Sequence, residues 1–329
     1  MTEQQRWKIY EKRWKWRDFY FHKVLRRHIF EPYFKKDIYI PYYAHRFVMT
    51  QKQTNDKIAN MIQSGKPFMV SRFGNTELSL VVSMIKIELF GNTDENKGQF
   101  YEWFDNLNNL SGFFPQDISL ADRFKEVIIE SAKETDILAE FHCRMDDYMI
   151  DKYIPDAKIT FLNHIEPWRT KNPWTRALKG KKVLVIHPFE DTIIQQYSKR
   201  DKLFDNNKVL PEFQLYTLKA VQTLAGNKDS RFDNWFQALE YMYNEAMKID
   251  FDIAIIGCGA YGMPLAAMLK KAGKQAIHMG GATQILFGIK GRRWVDNPRC
   301  GVKFNDYWVY PNDSEKPSNS NIVENNCYW

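Results

Sequence analysis

The chain has 329 residues, 44% of them hydrophobic, and a formal net charge of +7. This composition is typical of a globular protein that buries one large core or two smaller ones. No run approaches the roughly 18 apolar residues of a membrane-spanning helix, and the polar amino terminus lacks the pattern of a secretory signal. The four cysteines contain no Cys-x-x-Cys pair, which disfavours a zinc site or disulfide framework and predicts a reducing, cytoplasmic setting.

The positive charge is concentrated in the first 36 residues, which hold eleven Lys or Arg and four Asp or Glu. Ten aromatic residues are interleaved with them, and helical spacing up to Pro32 places Trp7, Tyr10, Trp14 and Phe21 roughly on one stripe. Either this stripe packs on the body of the protein, or the segment binds an anionic membrane surface, whose headgroup layer suits Trp and Tyr. Nucleic acid is disfavoured, since no recognition motif follows and the remaining residues balance in charge.

From about residue 50 onward, helical and strand patterns alternate. This predicts an α/β fold with a mostly parallel, Rossmann-like sheet and helices on both faces. The predicted helices cover 55–65, 75–90, 119–134, 192–204, 230–248 and 263–273. The predicted strands cover 67–72, 136–141, 158–163, 181–188, 212–221, 251–256 and 274–279. Helix caps are expected at Asn75 or Thr76 and at Ser119, and the Gly, Pro and Asn residues of 106–117 predict a loop.

We therefore expect three regions: a basic, aromatic helical extension at 1–50, an α/β domain at 51–300, and a tail at 301–329. The tail is polar and rich in turn-forming residues, which predicts a loop. Its last three residues, Cys-Tyr-Trp, suggest that the terminus returns to the body of the protein.

An apolar strand ends in Gly257-x-Gly259-x-x-Gly262, and a helical stretch follows at once. In a nucleotide-binding turn of this kind, the first glycine permits the bend and the second lets a phosphate approach the backbone. The third lets helix and strand pack closely. Unpaired N–H groups at the start of the helix attract an anion. A tight strand-to-helix turn without a ligand would use the same glycines, so that alternative stays open.

An NAD site of this type requires an acidic residue about 20 positions after the turn, which holds the ribose hydroxyls. No Asp or Glu occurs from 254 to 294, and the next strand ends at His278, with Gly280 and Gly281 close behind. A NAD(P)-dependent oxidoreductase is therefore disfavoured. The basic, glycine-lined stretch favours the phosphates of another nucleotide, with His278, Gly280 and Gly281 as further binding residues.

A second buried strand ends at Arg72, with Gly74 in the turn and Asn75 and Glu77 at the start of the next helix. Carboxyl ends of parallel strands face the ligand crevice, where a planar guanidinium suits a diphosphate. Glu77 could act as a general base or hold a divalent cation. The same residues are explained by a helix start in which Asn75 caps and Glu77 interacts with the helix dipole, and this alternative stays open.

The strand–Arg-Phe-Gly-x-x-Glu–helix element, which ends at Glu77, resembles the signature of the bacterial GT-D-type glycosyltransferases. The carboxyl half looks like theirs in its strand, glycine turn, helix and second strand. The stretch GGATQILFGIKGRRW and the terminal CYW look like a branch found among polysaccharide-biosynthesis genes. The resemblance covers roughly 55–295 and implies a catalytic domain that uses a nucleotide sugar and an Asp-x-Glu pair linked to a metal ion.

The chain departs from that signature at Asn75, which stands where the family has Asp. An asparagine can offer a carbonyl oxygen but no charge to a hard cation, so any Mn²⁺ or Mg²⁺ held by Glu77 with Asn75 should bind weakly. Asp146 and Asp147 follow another strand and are spare acids for such a cation, although solvated loop acids are the expected interpretation.

One further strand, KKVLVIHP, ends at His187, with Glu190 and Asp191 shortly after it. A histidine at that edge of a parallel sheet faces the crevice, where it could bind phosphate or act as a base near neutral pH. A structural hydrogen-bonding role is the common alternative. The basic run that ends at Lys202 could close over a diphosphate, although a solvated helix face is the default for such a run.

The sequence therefore predicts a glycosyltransferase that moves a sugar from a nucleotide-sugar donor to a glycan or lipid-linked acceptor in surface polysaccharide biosynthesis. We expect Arg72, Glu77 and His187 to be catalytic and the two glycine turns to bind the donor. The expected location is the cytoplasm, at the inner face of the membrane if the basic amino terminus binds lipid. The principal alternative is a non-catalytic module that binds a nucleotide or another polyanion.

Overall fold

The computed structural model describes residues 1–30, 42–297, 300–318 and 327–329. The strands in these ranges are β1 (Tyr42–Tyr43), β2 (Arg46–Phe47), β3 (Phe68–Ser71), β4 (Ile137–Glu140), β5 (Lys158–Phe161), β6 (Lys182–His187), β7 (Gln214–Lys219), β8 (Ile253–Ile256) and β9 (Gln275–His278).

The α-helices in the same ranges are α1 (Glu3–Trp16), α2 (Gln51–Ser64), α3 (Asn75–Phe90), α4 (Asp94–Ser111), α5 (Ala121–Lys133), α6 (Asp146–Tyr153), α7 (Glu190–Tyr197), α8 (Arg200–Leu203), α9 (Trp235–Met247), α10 (Gly262–Lys271), α11 (Ala282–Leu286) and α12 (Arg292–Val295). A π-helix, Arg17–Phe30, continues α1. Among the described residues, no helix is both long and apolar enough to cross a bilayer.

The central sheet has seven strands in the order β5-β4-β3-β9-β8-β6-β7. Every neighbouring pair in it is parallel, while β1 and β2 form a separate antiparallel hairpin. The predicted α/β class with a Rossmann-like parallel sheet is confirmed. Parallel strands need helical crossovers, which is why the alternation of strands and helices along the sequence was informative.

The sheet separates two apolar cores because successive strand residues point to opposite faces. On β6, for example, Leu184 and Ile186 lie in one core, and Val183 and Val185 lie in the other. The first core also receives α1, α3, α5, α9 and α10, and the second receives α2, α7 and α11. Burying each such aliphatic side chain stabilises the fold by roughly 1.5–3 kcal/mol.

The amino-terminal helix docks on the body through one face. A capping box between Thr2 and Gln5 starts α1, and Trp7 and Tyr10 are buried against Tyr148 of α6, with ring centroids 4.9 and 5.8 Å from it. These contacts support the packing interpretation for these two residues. The expected helix end at Pro32 and the residues 31–41 lie outside the described ranges, as does the side chain of Phe21.

Some local predictions were wrong. The loop expected at 106–117 is partly helical, because α4 continues to Ser111 with Leu107 buried, and ends at Gly112, whose φ is +80°. No side-chain cap bond starts α3, which follows Gly74 directly. The cap expected at Ser119 is provided by Asp117, whose carboxylate accepts the Ser119 N–H before the short 3₁₀ turn that leads into α5.

The described part of the tail packs on the body instead of projecting from it. Trp308 is buried, and Glu315 accepts the backbone N–H groups of Asp191 and Thr192 at the start of α7. The return of the terminal Cys-Tyr-Trp is confirmed, since Cys327 is buried against Ala225. The part of the predicted loop at 319–326 lies outside the described residues.

Candidate functional site

The strand order creates a topological switch point between β6 and β8, which are neighbours in the sheet. From β6 the chain continues to β7 at the nearer edge, whereas from β8 it continues to β9 in the opposite direction. The two connections therefore diverge at the carboxyl ends of these strands. Open α/β sheets bind their ligands in the crevice at such a point.

A cavity of about 70 Å³ lies at this switch point. Its lining joins loops from several strands with the carboxyl terminus: Arg72, Leu110, His187, Pro188, Phe189, Gln222, Leu224, Gly257, Gly259, Gly281, Gln284, Tyr328 and Trp329. Pockets for whole ligands usually measure roughly 300–1,000 Å³, so the cavity in this conformation is too small for a nucleoside diphosphate.

The glycine turn shapes one wall of the cavity. A Cβ on Gly257 would lie 2.7 Å from the carbonyl oxygen of Gly280, from Cδ2 of His187 and from Oγ1 of Thr283, so no larger residue fits there. Gly259 has φ +58°, in the left-handed region that favours glycine. The turn continues through the 3₁₀ segment Gly259–Tyr261 into α10. Close packing therefore accounts for the first glycine without any ligand.

Arg72 reaches the cavity from the end of β3. Its guanidinium covers Gly280, since Nε lies 2.5 Å from the position that a Cβ of Gly280 would occupy. The guanidinium carbon Cζ lies 5.3 Å from the centroid of the Phe141 ring. Its Nη1 donates to the carbonyl oxygen of Phe73 at 3.1 Å. Arg72 is the one charged side chain among the lining residues given above. The structure thus brings Arg72, His187, Gly257, Gly259 and Gly281 to a single cavity.

His187 lines the cavity as a neutral imidazole. Its Nδ1 accepts the N–H of Phe189 at 3.0 Å, which places the ring proton on Nε2. Burial lowers the pKa of His187 to about 3. Burial therefore disfavours a charged imidazole near neutral pH in this conformation, and the Nε2–H is a hydrogen-bond donor.

His278 and Gly262 pack against each other outside the cavity lining. The imidazole of His278 is buried, and its Nδ1 lies 3.1 Å from Oγ of Ser71 on the neighbouring strand. Burial, with the nearby Arg72 charge, lowers the pKa of His278 well below its ordinary value. A Cβ on Gly262 would lie 2.2 Å from Nε2 of His278. The third glycine of the turn therefore makes room for an imidazole.

Glu77 is buried at the start of α3 and does not line the cavity. Its carboxylate folds back over the preceding turn, with Oε2 1.8 Å from the position that a Cβ of Gly74 would occupy. Asn75 is the first residue of the same helix. Gly74 is thus needed because the Glu77 carboxylate fills the space above it, an arrangement typical of a helix start.

No group of three or more His, Cys, Asp or Glu side chains within the described ranges is arranged to hold a metal ion. Glu77 and Asn75 by themselves offer two ligands from one helical turn, fewer than a divalent cation requires from a dedicated site. The basic run after α7 also lies away from the cavity: Arg200 pairs with Glu212 at 3.5 Å, and Lys202 lies over Tyr307 at 5.1 Å.

The acids after β4 are buried, so the expectation that Asp146 and Asp147 are solvated loop acids is wrong. Arg17 of the π-helix lies 3.2 Å from Asp146 and 3.4 Å from Asp147, and Tyr43 donates a hydrogen bond to Asp146. Together with Glu140 at the end of β4 they form a buried acid cluster. Burial raises the pKa of Glu140 to about 7 and those of Asp146 and Asp147 to about 6.

Sequence reasoning did not select the carboxyl-terminal aromatic pair as part of the site. Tyr328 is held by hydrogen bonds from Nε2 of Gln284 to its carbonyl oxygen and from Arg293 to its hydroxyl, each 3.1 Å long. The ring of Trp329 lies 6.2 Å from that of Phe189. The two rings form part of the cavity wall and contribute to its small volume. The only signal in the sequence was the aromatic ending of an otherwise polar tail.

No protein-family model matches the chain, and no curated protein matches it. Its structure is similar to a solved structure described as "The highly conserved domain of unknown function 1792 has a distinct glycosyltransferase fold". That similarity has a TM-score of 0.40 and 13% identity and covers 80% of this chain and 94% of the other. A second solved structure of domain of unknown function 1792, with substituted selenomethionine, gives 0.40 and 12% over the same shares. Such low similarity carries no activity over to this chain.

Proposed function

We propose that the chain is a glycosyltransferase that takes a sugar from a nucleotide-sugar donor, with the donor diphosphate bound at the switch point between β6 and β8. The observation that carries this proposal is the position of Arg72. Its guanidinium passes over Gly280 into a cavity that it shares with Gly257 and Gly259. A guanidinium that faces a glycine turn at the carboxyl edge of a parallel sheet suits a diphosphate.

Glycosyl transfer develops negative charge on the leaving diphosphate and requires that the acceptor hydroxyl lose a proton. In this proposal Arg72 offsets part of the negative charge of the leaving group, and the Nε2–H of His187 donates a hydrogen bond to one of its oxygens. The backbone of the Gly257–Gly259 turn lies close enough to the cavity for phosphate oxygens to approach it. Glu77 is the candidate base, and it must turn away from Gly74 to reach an acceptor.

The mechanism proposed above uses no metal ion, because Glu77 and Asn75 do not by themselves complete a divalent site. The expected weak binding of Mn²⁺ or Mg²⁺ therefore remains a separate proposal. It is tested by adding the cation to the donor-binding experiment below.

The second candidate is a non-catalytic module that binds a nucleotide. Two observations favour it: no Asp or Glu occurs among the residues that line the cavity, and the Glu77 carboxylate is engaged at its own helix start. Such a module would bind a nucleoside diphosphate at the same cavity and would never release or transfer the sugar.

The decisive experiment measures binding of UDP, GDP and their sugar conjugates by calorimetry, with and without Mn²⁺, together with sugar release detected by mass spectrometry. We expect one donor to bind and to lose its sugar slowly to water. Arg72→Ala should weaken binding at least tenfold, whereas Arg231→Ala, which changes an exposed arginine, should not alter it. Failure of every nucleoside diphosphate and nucleotide sugar to bind would remove the proposal.

Glu77→Gln separates the two candidates. As the acceptor base, Glu77 is required for transfer but not for donor binding, so the variant should bind the donor normally and transfer no sugar. Full transfer by Glu77→Gln would exclude Glu77 as the base. Donor binding without any sugar release by the unmodified chain would support the non-catalytic module.

A further inference from the structure

The exposed apolar side chains are unevenly distributed over the described residues. Eight of the fifteen exposed large hydrophobic residues lie at or before Phe47. Trp16 exposes 62% and Phe47 81% of its surface. Phe19, Tyr20 and Tyr42 are exposed near them in the chain. Such a concentration on one part of a protein surface marks an interaction site more often than solvent-facing packing.

Of these residues, Trp16 belongs to the face of α1 that does not dock. Trp7 and Tyr10 face the body, whereas Ile9, Lys12, Arg13 and Trp16 follow each other at helical spacing on the other side. The aromatic content of the segment therefore has two separate uses. One stripe packs the helix on the body of the protein, and the other stripe is available to bind a partner.

The available stripe faces the β1–β2 hairpin across a groove of about 760 Å³. We call this region the N-terminal surface: the groove lined by Ile9, Lys12, Arg13, Trp16, Arg17, Tyr42, Tyr43, Ala44, His45 and Asp147, with the exposed aromatic residues beside it. The hairpin is fixed to the helix by Arg13, whose Nη1 lies 2.8 Å from Nε2 of His45.

The free charge of the N-terminal surface is positive. Arg17 is occupied by its ion pairs with the two carboxylates Asp146 and Asp147, and Asp147 is the one acidic residue among those that line the groove. Lys12 and Arg13 are exposed and form no ion pair within the described residues, and Lys15, also exposed, has only a long contact of 3.6 Å with Glu11. These exposed basic groups of α1 attract an anion to the N-terminal surface.

We propose that the N-terminal surface binds the headgroup layer of an anionic membrane. In this arrangement Lys12, Arg13 and Lys15 meet the lipid phosphates, and Trp16, Phe19 and Phe47 enter the interface beside the groove. Aromatic rings and basic groups are the two components of interfacial membrane binding. An RNA or DNA strand fits less well, because Ile9 and Val24 cannot stack on bases and the residues after 36 carry no net charge.

This inference deepens the proposed function, because it assigns the acceptor to a class: a lipid-linked molecule presented at a membrane. It rests on the proposed function only for that assignment. Vesicle binding itself needs no donor and no transfer, so its failure and the failure of the glycosyltransferase proposal are measured separately.

The test is co-sedimentation of the full chain with vesicles of phosphatidylcholine alone or with 30% phosphatidylglycerol. We expect binding to the anionic vesicles only, weakened at least tenfold by Lys12→Glu with Lys15→Glu and about fivefold by Trp16→Ser with Phe47→Ser. Neither pair contributes to the contacts of Trp7, Tyr10 or Arg17, so the thermal midpoint should stay within a few degrees of the unmodified chain.

Matched controls change equally exposed residues elsewhere. Lys303→Glu and Tyr310→Ala should leave vesicle binding unchanged, since both side chains are exposed outside the N-terminal surface. Equal binding by the Lys12→Glu, Lys15→Glu variant, or by both vesicle types, would overturn the proposal. So would an absence of vesicle binding with tight binding to single-stranded RNA, which would assign the surface to a nucleic acid.

Discussion

The region of the switch point depends on the space that Gly257 and Gly262 leave for neighbouring groups. The N-terminal surface depends instead on the charge of Arg17. At the switch point, a carbonyl oxygen and two imidazole rings occupy the positions where glycine side chains would be. At the N-terminal surface, a guanidinium joins the π-helix to two buried carboxylates in α6. The first region is therefore sensitive to an added methyl group and the second to a lost charge or a change of pH.

The largest effect is expected from Arg17→Ala. It leaves Asp146 and Asp147 buried without their cation, which should cost about 3 kcal/mol of unfolding free energy at pH 8. Urea denaturation measures the loss, and limited proteolysis shows whether residues 1–30 detach. Lys15→Ala, which removes an exposed charge, should change stability by less than about 0.5 kcal/mol. Equal stability of both variants would contradict the role given to Arg17.

The matching test at the switch point is Gly262→Ala. Its Cβ would lie 2.2 Å from Nε2 of His278, and such overpacking should cost about 2 kcal/mol. Gly98→Ala is the control: nothing lies within 4 Å of its Cβ, and a helical alanine there should stabilise the chain by up to about 1 kcal/mol. If the imidazole is the obstacle, adding His278→Ala to Gly262→Ala should be less harmful than the sum of both changes.

Lowering the pH should increase the contribution of the buried acid cluster to the unfolding free energy. Burial raises the pKa of Glu140 from 4.5 to about 7, so the folded state binds more protons than the unfolded state between these values. Its contribution is therefore fully present below pH 4.5 and is lost as the pH rises through 7. The charged or titratable neighbours of Glu140 are Arg17, Tyr43, His142, Cys143, Asp146 and Asp147.

Glu140→Gln removes this dependence, because the amide stays neutral. Relative to the unmodified chain, the variant should gain about 1–2 kcal/mol in unfolding free energy between pH 5.5 and pH 8. Urea denaturation at both pH values measures the gain, and Glu126→Gln, at an exposed position, should show none. If the difference in unfolding free energy between Glu140→Gln and the unmodified chain were the same at both pH values, the pKa of Glu140 would not be raised by folding.

The smallest effect is expected from Trp329→Ala, which enlarges the cavity without touching its glycine turn. Since the present volume cannot hold a nucleoside diphosphate, the rings of Tyr328 and Trp329 must move before one binds. Removing one ring should strengthen binding about threefold to tenfold, because more of the protein is then in an open state. Calorimetry measures this, and weaker binding would show instead that the indole stacks on the base.

The fold was predictable because its signals are local. Apolar runs such as 253–256, which Gly257 follows directly, are typical of buried parallel strands, and each strand of the seven-stranded sheet lies within its predicted range. The helix α4, Asp94–Ser111, was not predicted, and its last turns were expected to be a loop because Asn and Gly within 106–112 favour a turn, whereas burial of Leu107 extends the helix. Tertiary packing decided that boundary.

The site was less predictable because it depends on strand order and on distant partners. Nothing near Asp146 indicates that Arg17, 129 residues away, would bury it. Likewise, the sequence places His187 and Gly257 at strand ends, but not at neighbouring strands whose connections diverge. The His278 ring fills the space over Gly262 and so explains the third glycine of the turn. The glycine motif itself gives no sign of this histidine.

The single positive charge in the cavity has a consequence for any diphosphate that enters it. A nucleoside diphosphate carries about three negative charges near neutral pH, because the last ionisation of a terminal phosphate has a pKa near 6, and Arg72 can offset only one of them. The imbalance that remains favours a ligand that arrives already paired with its own magnesium ion, as phosphate compounds do in many enzymes. Dependence on magnesium would then follow from the solution chemistry of the ligand, even in a protein that supplies no carboxylate to the metal.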